Sequence, residues 1–135
     1  MKISEDNIKN TWKFDSLNSK ILMFDFDRDK NKILDKNEKE EFLTAHFNKL
    51  KKNNYNIFLA NEEQDFKIEP KNIDLVFEKN RLKIVFDLSY KLTSETTFCS
   101  MDEKIYLAYK LDKLNTNLKT NIQKSEYYYC IGLTK

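Results

Sequence analysis

Glycine and proline are almost missing from these 135 residues: the chain has one of each, Gly132 and Pro70. Its turns must therefore be made by Asn, Asp and Lys. A lone glycine also excludes a Gly-rich phosphate cradle. Histidine is as scarce, with His46 the single example. A His-rich transition-metal site is thereby excluded. His46 lies i+4 from Phe42 and i−4 from Leu50, on the margin of an apolar face, and reads as core-edge packing. No run approaches the roughly 18 apolar residues that span a bilayer. The opening Met1-Lys2-Ile3-Ser4-Glu5-Asp6 lacks the apolar stretch of a secretory signal, which leaves a cytoplasmic chain or one whose signal is not included. Charge of one sign is also missing: 24 Lys+Arg face 22 Asp+Glu for a net +2, interspersed along the chain. That distribution offers no nucleic-acid stripe and no acidic tail. No nucleophile–base pair or open catalytic metal site is visible, so no enzyme is expected.

What the chain has is enough apolar material for a core. Hydrophobic residues make up 40% and aromatics 13%, and a chain of this length reads as one domain over 1–135. Ile8 to Phe14 alternates as a strand, after which Asp15 or Ser16 caps a helix carrying Leu17, Ile21, Leu22 and Phe24 to Phe26. A second helix is expected over 36–52, acidic in its first turns and basic in its last, as the helix dipole favours. From residue 55 the period becomes two. Strands are expected at Tyr55–Leu59, Phe66–Ile68, Ile73–Glu78, Leu82–Tyr90, Glu103–Leu111 and Tyr127–Leu133. Lys79-Asn80 forms the turn of the clearest hairpin. Thr93–Ser100 and Asn115–Ser125 read as polar connections. The resulting expectation is an α+β fold: an antiparallel β-sheet or sandwich (strand 8–14, strands 55–133) with a helix–loop–helix unit at 15–52 near the N-terminus. Cys99 and Cys130 have no metal-ligand spacing. They can form one disulfide in an oxidising compartment or serve as small buried hydrophobes. Tyr127-Tyr128-Tyr129 places aromatics on both strand faces, one in the core and one half-exposed.

The segment that carries chemistry is Asp27-Arg28-Asp29-Lys30-Asn31-Lys32-Ile33-Leu34-Asp35-Lys36-Asn37-Glu38. Calcium takes six to eight oxygens, and an EF-hand loop presents them from positions 1, 3, 5, 7, 9 and 12. Here these are Asp27, Asp29, Asn31, the Ile33 carbonyl, Asp35 (directly or through water) and a bidentate Glu38. Leu34 occupies position 8, where an apolar side chain tucks into the core. A frame beginning at Asp25 would place Lys36 at position 12 and loses the bidentate carboxylate, so the Asp27 frame is preferred. Position 6 needs a positive φ and usually holds Gly; Lys32 there costs on the order of 1 kcal/mol. A weak calcium site is expected, near 10⁻⁴ M or poorer. The alternatives are a vestigial loop that keeps its shape without an ion, or a solvated acidic turn.

The run Trp12-Lys13-Phe14-Asp15, the apolar helix after it, and Asp25-Phe26-Asp27-x-Asp29-x-Asn31-Lys32-x-Leu34-x-x-x-Glu38 resemble a bacterial family of unknown function with an embedded EF-hand-like loop. Asn54-Tyr55, the turn Glu78-Lys79-Asn80-Arg81-Leu82 and Tyr127-Tyr128 resemble its later motifs. Members are small periplasmic proteins often encoded beside nickel, cobalt or zinc permeases. The resemblance implies a periplasmic or cell-envelope calcium-binding accessory to metal-ion transport, with calcium mainly structural. It implies an envelope metal permease or ABC transporter component as partner. The alternative reading is a protein–protein interaction module with a vestigial loop. Two departures stand out: the family's signal peptide and His-Pro-His strand are missing, and Lys32 replaces the loop Gly. The missing strand would leave a sheet edge free to pair with a second copy.

Overall fold

The computed structural model describes residues 1–92, 95–102 and 109–135. It is a mixed α+β structure, mostly strands, arranged in two sheets. β1 (Lys2–Ile3) and β2 (Asn7–Lys13) precede helices α1 (Ser16–Phe26) and α2 (Lys36–His46), and a 3₁₀ segment, Asn48–Asn56, leads into β3 (Ile57–Asn61). After these come β4 (Lys71–Glu78), β5 (Arg81–Ser89), β6 (Thr96–Ser100), β7 (Asn115–Thr116), β8 (Lys119–Lys124) and β9 (Tyr129–Thr134). The first sheet has the order β4-β5-β2-β1-β7 and the second β3-β6-β9-β8.

Alternation in the sequence decides which face of each strand is buried. On β5, Leu82, Ile84, Phe86 and Leu88 are all buried while the residues between them are not. Across the second sheet Leu59, Phe98 and Ile131 stand in register and share that core. Trp12 joins the layers, with ring centroids 5.5 Å from Phe47, 5.0 Å from Phe86 and 5.4 Å from Tyr109. The helical unit is tied down by aromatic packing and by one serine. Phe42 is fully buried and meets Phe26 at 5.2 Å and Phe14 at 6.1 Å. Ser19 Oγ donates to the Phe14 carbonyl (3.2 Å) and accepts the Leu82 N–H (2.9 Å), fastening α1 to the start of β5.

Several expectations are met closely. β2 and β4–β5 lie within one or two residues of their sequence assignments, and Asp15 caps α1 by accepting the Asn18 N–H at 2.6 Å. Lys79 and Asn80 both take positive φ (51° and 61°), as their hairpin turn demands.

Others need correction. The second helix stops at His46 rather than Lys52, because the bond pattern tightens: Phe47 N–H still reaches Leu43, whereas Leu50 N–H reaches only Phe47. Asn54, Tyr55 and Asn56 then take left-handed backbone, which delays the expected 55–59 strand to Ile57–Asn61. Phe66–Ile68 is not a strand, although Phe66 N–H bonds the Leu59 carbonyl at 2.7 Å. Thr96–Ser100 is a strand, not a connection, and its centre is buried; Thr93 and Ser94 lie outside the described residues. The expected 103–111 strand lies mostly outside them too, at 103–108. Asn115–Ser125 holds β7 and β8: β8 is exposed along its whole length, so backbone pairing to β9 holds it and no apolar alternation announces it. The sheets are not wholly antiparallel, since β1 runs parallel to β7. β1 covers the free side of β2, and β7 takes the edge beyond it. Cys99 and Cys130 stand opposite each other on β6 and β9 and form a disulfide. No helix among the described residues is long and apolar enough to cross a membrane.

Candidate metal site

α1 ends on the first residue of the loop. Asp27 N–H bonds the Met23 carbonyl at 2.8 Å, so this carboxylate is held by the last helical turn and is buried. The chain turns back through positive φ at Lys30 (57°) and Lys32 (64°). That turn brings the Lys32 N–H to Asp27 Oδ2 at 2.8 Å and the Ile33 N–H to Asn31 Oδ1 at 3.0 Å. Leu34 then drops into the core at 5% exposure, while Ile33 keeps its side chain in solvent.

α2 begins with a reciprocal cap. Asp35 Oδ1 accepts the Glu38 N–H at 2.8 Å and Glu38 Oε1 accepts the Asp35 N–H at 2.9 Å. Glu38 Oε2 reaches across the loop to the Arg28 N–H at 2.6 Å, joining its two ends. Arg28 also pairs with Glu41 on α2. Lys30 Nζ reaches the Phe24 carbonyl at 2.8 Å and lies 4.3 Å above the Phe24 ring.

The result is a cluster of three carboxylates. Asp27, Asp29 and Glu38 each bring one oxygen within 4.8 Å of the others. Asp27 and Glu38 are buried, at 4% and 3% exposure. Glu38 satisfies both of its oxygens with backbone N–H groups, but Asp27 Oδ1 is buried without a hydrogen-bond partner among the described residues. Asp29 holds its proton above the usual carboxylate range. The main cause is a hydrogen bond to the Asp27 side chain, followed by desolvation and the charges of Glu38 and Asp27. A proton shared between Asp29 and Asp27 would ease the repulsion within the cluster. A cation would relieve the same repulsion and serve Asp27 Oδ1 as well. Three hard oxygens with one buried and unsatisfied fit a hard divalent ion.

Over residues 3–129 the sequence matches a family described as "Protein of unknown function (DUF1007)". The chain belongs to the DUF1007 family. No curated protein and no solved structure matches it.

Of the six residues expected as ligands in this DUF1007 chain, the structure gathers Asp27, Asp29 and Glu38. Asn31 borders them, its Nδ2 donating to Asp29 Oδ2 at 3.3 Å. Asp35 is occupied as the α2 cap, and Ile33, expected through its backbone carbonyl, keeps its side chain in solvent. The cap was written in the sequence as Asp35-x-x-Glu38 ahead of an apolar run, a signature the ligand reading passed over.

Proposed function

We propose that this DUF1007 chain is a non-catalytic calcium-binding domain, acting outside the cytoplasm as an accessory to metal-ion transport, with the loop Asp27–Glu38 as an EF-hand-type site. The observation that supports it most is the buried, unpartnered Asp27 Oδ1 inside a three-carboxylate cluster. Asp27, Asp29 and Glu38 would hold the ion, joined by Asn31, the Ile33 carbonyl and Asp35 directly or through water. Bound there, calcium supplies positive charge that neutralises the cluster and ties α1 to α2. Its role is structural, because the same residues already fasten the loop. The Cys99–Cys130 disulfide is compatible with an extracytoplasmic location. The transport association is what the family resemblance implies.

Calcium titration by calorimetry tests the binding. Wild-type protein should give a saturable isotherm in the 0.1–1 mM range, about that of extracellular calcium modules, and Glu38→Gln should give none. Identical flat traces in the two would overturn the proposal.

One observation favours a second reading, an interaction module with a vestigial loop. Leu17, Ile21 and Phe24 lie one helical turn apart on α1, and all three are at least half exposed. A pull-down from envelope extracts that recovers the same partners with chelator as with calcium would support that reading over the first.

A further inference from the structure

Away from the loop, the topology gathers lysines that the sequence had scattered. Lys2 on β1 lies directly opposite Lys9 on β2, and on its other side pairs with Asn115 on β7. Like charges facing each other across a strand pair repel, and Asp87 opposite Lys9 offsets only one of the two, so an anion beside Lys2 would relieve this register further. Lys2, Lys9, Thr11, Lys113, Leu114 and Asn115 line an open cleft of about 530 Å³. Lys2, Lys9 and Lys113 enter none of the described ion pairs. The acids nearby are shared: Asp112 meets Lys13 at 3.5 Å and its charge also acts on the Met1 ammonium, while Asp87, opposite Lys9, accepts from Asn7 and Asn72 and also feels the charge of Lys9. The Met1 amino group is engaged as well, donating to the Lys113 carbonyl at 3.0 Å.

We propose that this cleft binds an organic phosphate, either a free phosphomonoester or the headgroup of an anionic lipid. Three lysines around one opening suit a phosphate oxyanion, for which lysine acts as a point charge. The Thr11 hydroxyl and Asn115 amide add directional donors. The volume exceeds that of a bare ion, and Leu114 gives the organic part an apolar wall. Among the described residues no carboxylate lines the cleft to repel such a ligand.

The test is an amide NMR titration at fixed ionic strength with glycerol 3-phosphate, beside flotation with phosphatidylcholine vesicles containing or lacking phosphatidylglycerol. Saturable shifts confined to Lys2, Lys9, Thr11 and Asn115 assign the free phosphate. Association with phosphatidylglycerol vesicles alone assigns the headgroup. Lys9→Gln and Lys113→Gln should each weaken the binding about fivefold, the worth of one lysine near an anionic group, while Lys51→Gln on the exposed 3₁₀ segment changes nothing. Non-saturating shifts spread over all lysines without vesicle binding would overturn the proposal, as would binding that both cleft variants leave intact. Thermal melts of the variants, whose lysines are exposed, keep a folding defect from imitating loss of binding.

Discussion

Replacing Asp27 by asparagine separates the cost of the carboxylate cluster from its use. Asp27 and Glu38 are both buried and their oxygens lie within 4.8 Å. At an effective dielectric constant of about 20 their repulsion is about 3.5 kcal/mol. The substituted side chain keeps an acceptor for the Lys32 N–H but loses the charge that strengthens that bond, a loss of roughly 1–2 kcal/mol. It also places an amide where Oδ1 has no donor, facing the remaining carboxylates. The net expectation is a metal-free variant more stable than wild type by about 1.5–2.5 kcal/mol. Wild-type protein should gain more from calcium. A site of about 10⁻⁴ M at a hundredfold excess, near 10 mM calcium, contributes about 2.7 kcal/mol. For 135 residues that corresponds to a rise in Tm of about 10 °C. The assay is differential scanning calorimetry of both proteins, with chelator and with 10 mM calcium. Wild type should start lower and rise, while Asp27→Asn should start higher and stay flat. A variant that melts lower than wild type in chelator and still rises with calcium would refute the reasoning.

Three further outcomes follow from other parts of the fold. Lys32→Gly should relieve the side-chain cost of φ 64°, stabilising the loop by up to about 1 kcal/mol and tightening calcium up to about fivefold in the same titration. Reducing Cys99–Cys130, which closes a span of 31 residues, should cost about 3.5 kcal/mol and shift the urea midpoint accordingly. Tyr90 and Tyr109 are pushed up to about 12 by burial, whereas an unfolded tyrosine titrates near 10. Their contribution is therefore complete below about pH 10 and disappears as pH rises towards 12; urea midpoints at pH 9, 10.5 and 11.5 should fall in that order.

The sequence was most readable where one rule decided the outcome. β5 could be read because every second residue is large and apolar, and α1 because Asp15 could cap it. The meeting of Asp27, Asp29 and Glu38 could be read because their spacing around one turn returns three carboxylates to one place. What stayed hidden was decided by partners far away. β8 is exposed throughout and exists because β9 offers it a ladder. β1 is two residues long and held by neighbours on both sides. The late start of β3 depended on Asn54, Tyr55 and Asn56 adopting left-handed backbone without glycine, which composition disfavours. At the site, spacing nominated six ligands and passed over the capping signature Asp35-x-x-Glu38, and it could not show that Glu38 also reaches the Arg28 N–H across the loop.

The placement of β1 between β2 and β7 has a consequence for the order in which the chain becomes native. Lys2 and Ile3 pair with Asn115 and Thr116, so the first sheet cannot close until most of the polypeptide is available. The loop is local by comparison, its two ends joined by a hydrogen bond that spans ten residues between Arg28 and Glu38. Contacts so close in sequence form without a large loop-closure cost, whereas the β1–β7 pairing waits for distant chain. A polypeptide emerging from a ribosome or threading a membrane pore would thus carry an organised helical hairpin well before its sheet was sealed. Its N-terminal strand would be among the last pieces to settle.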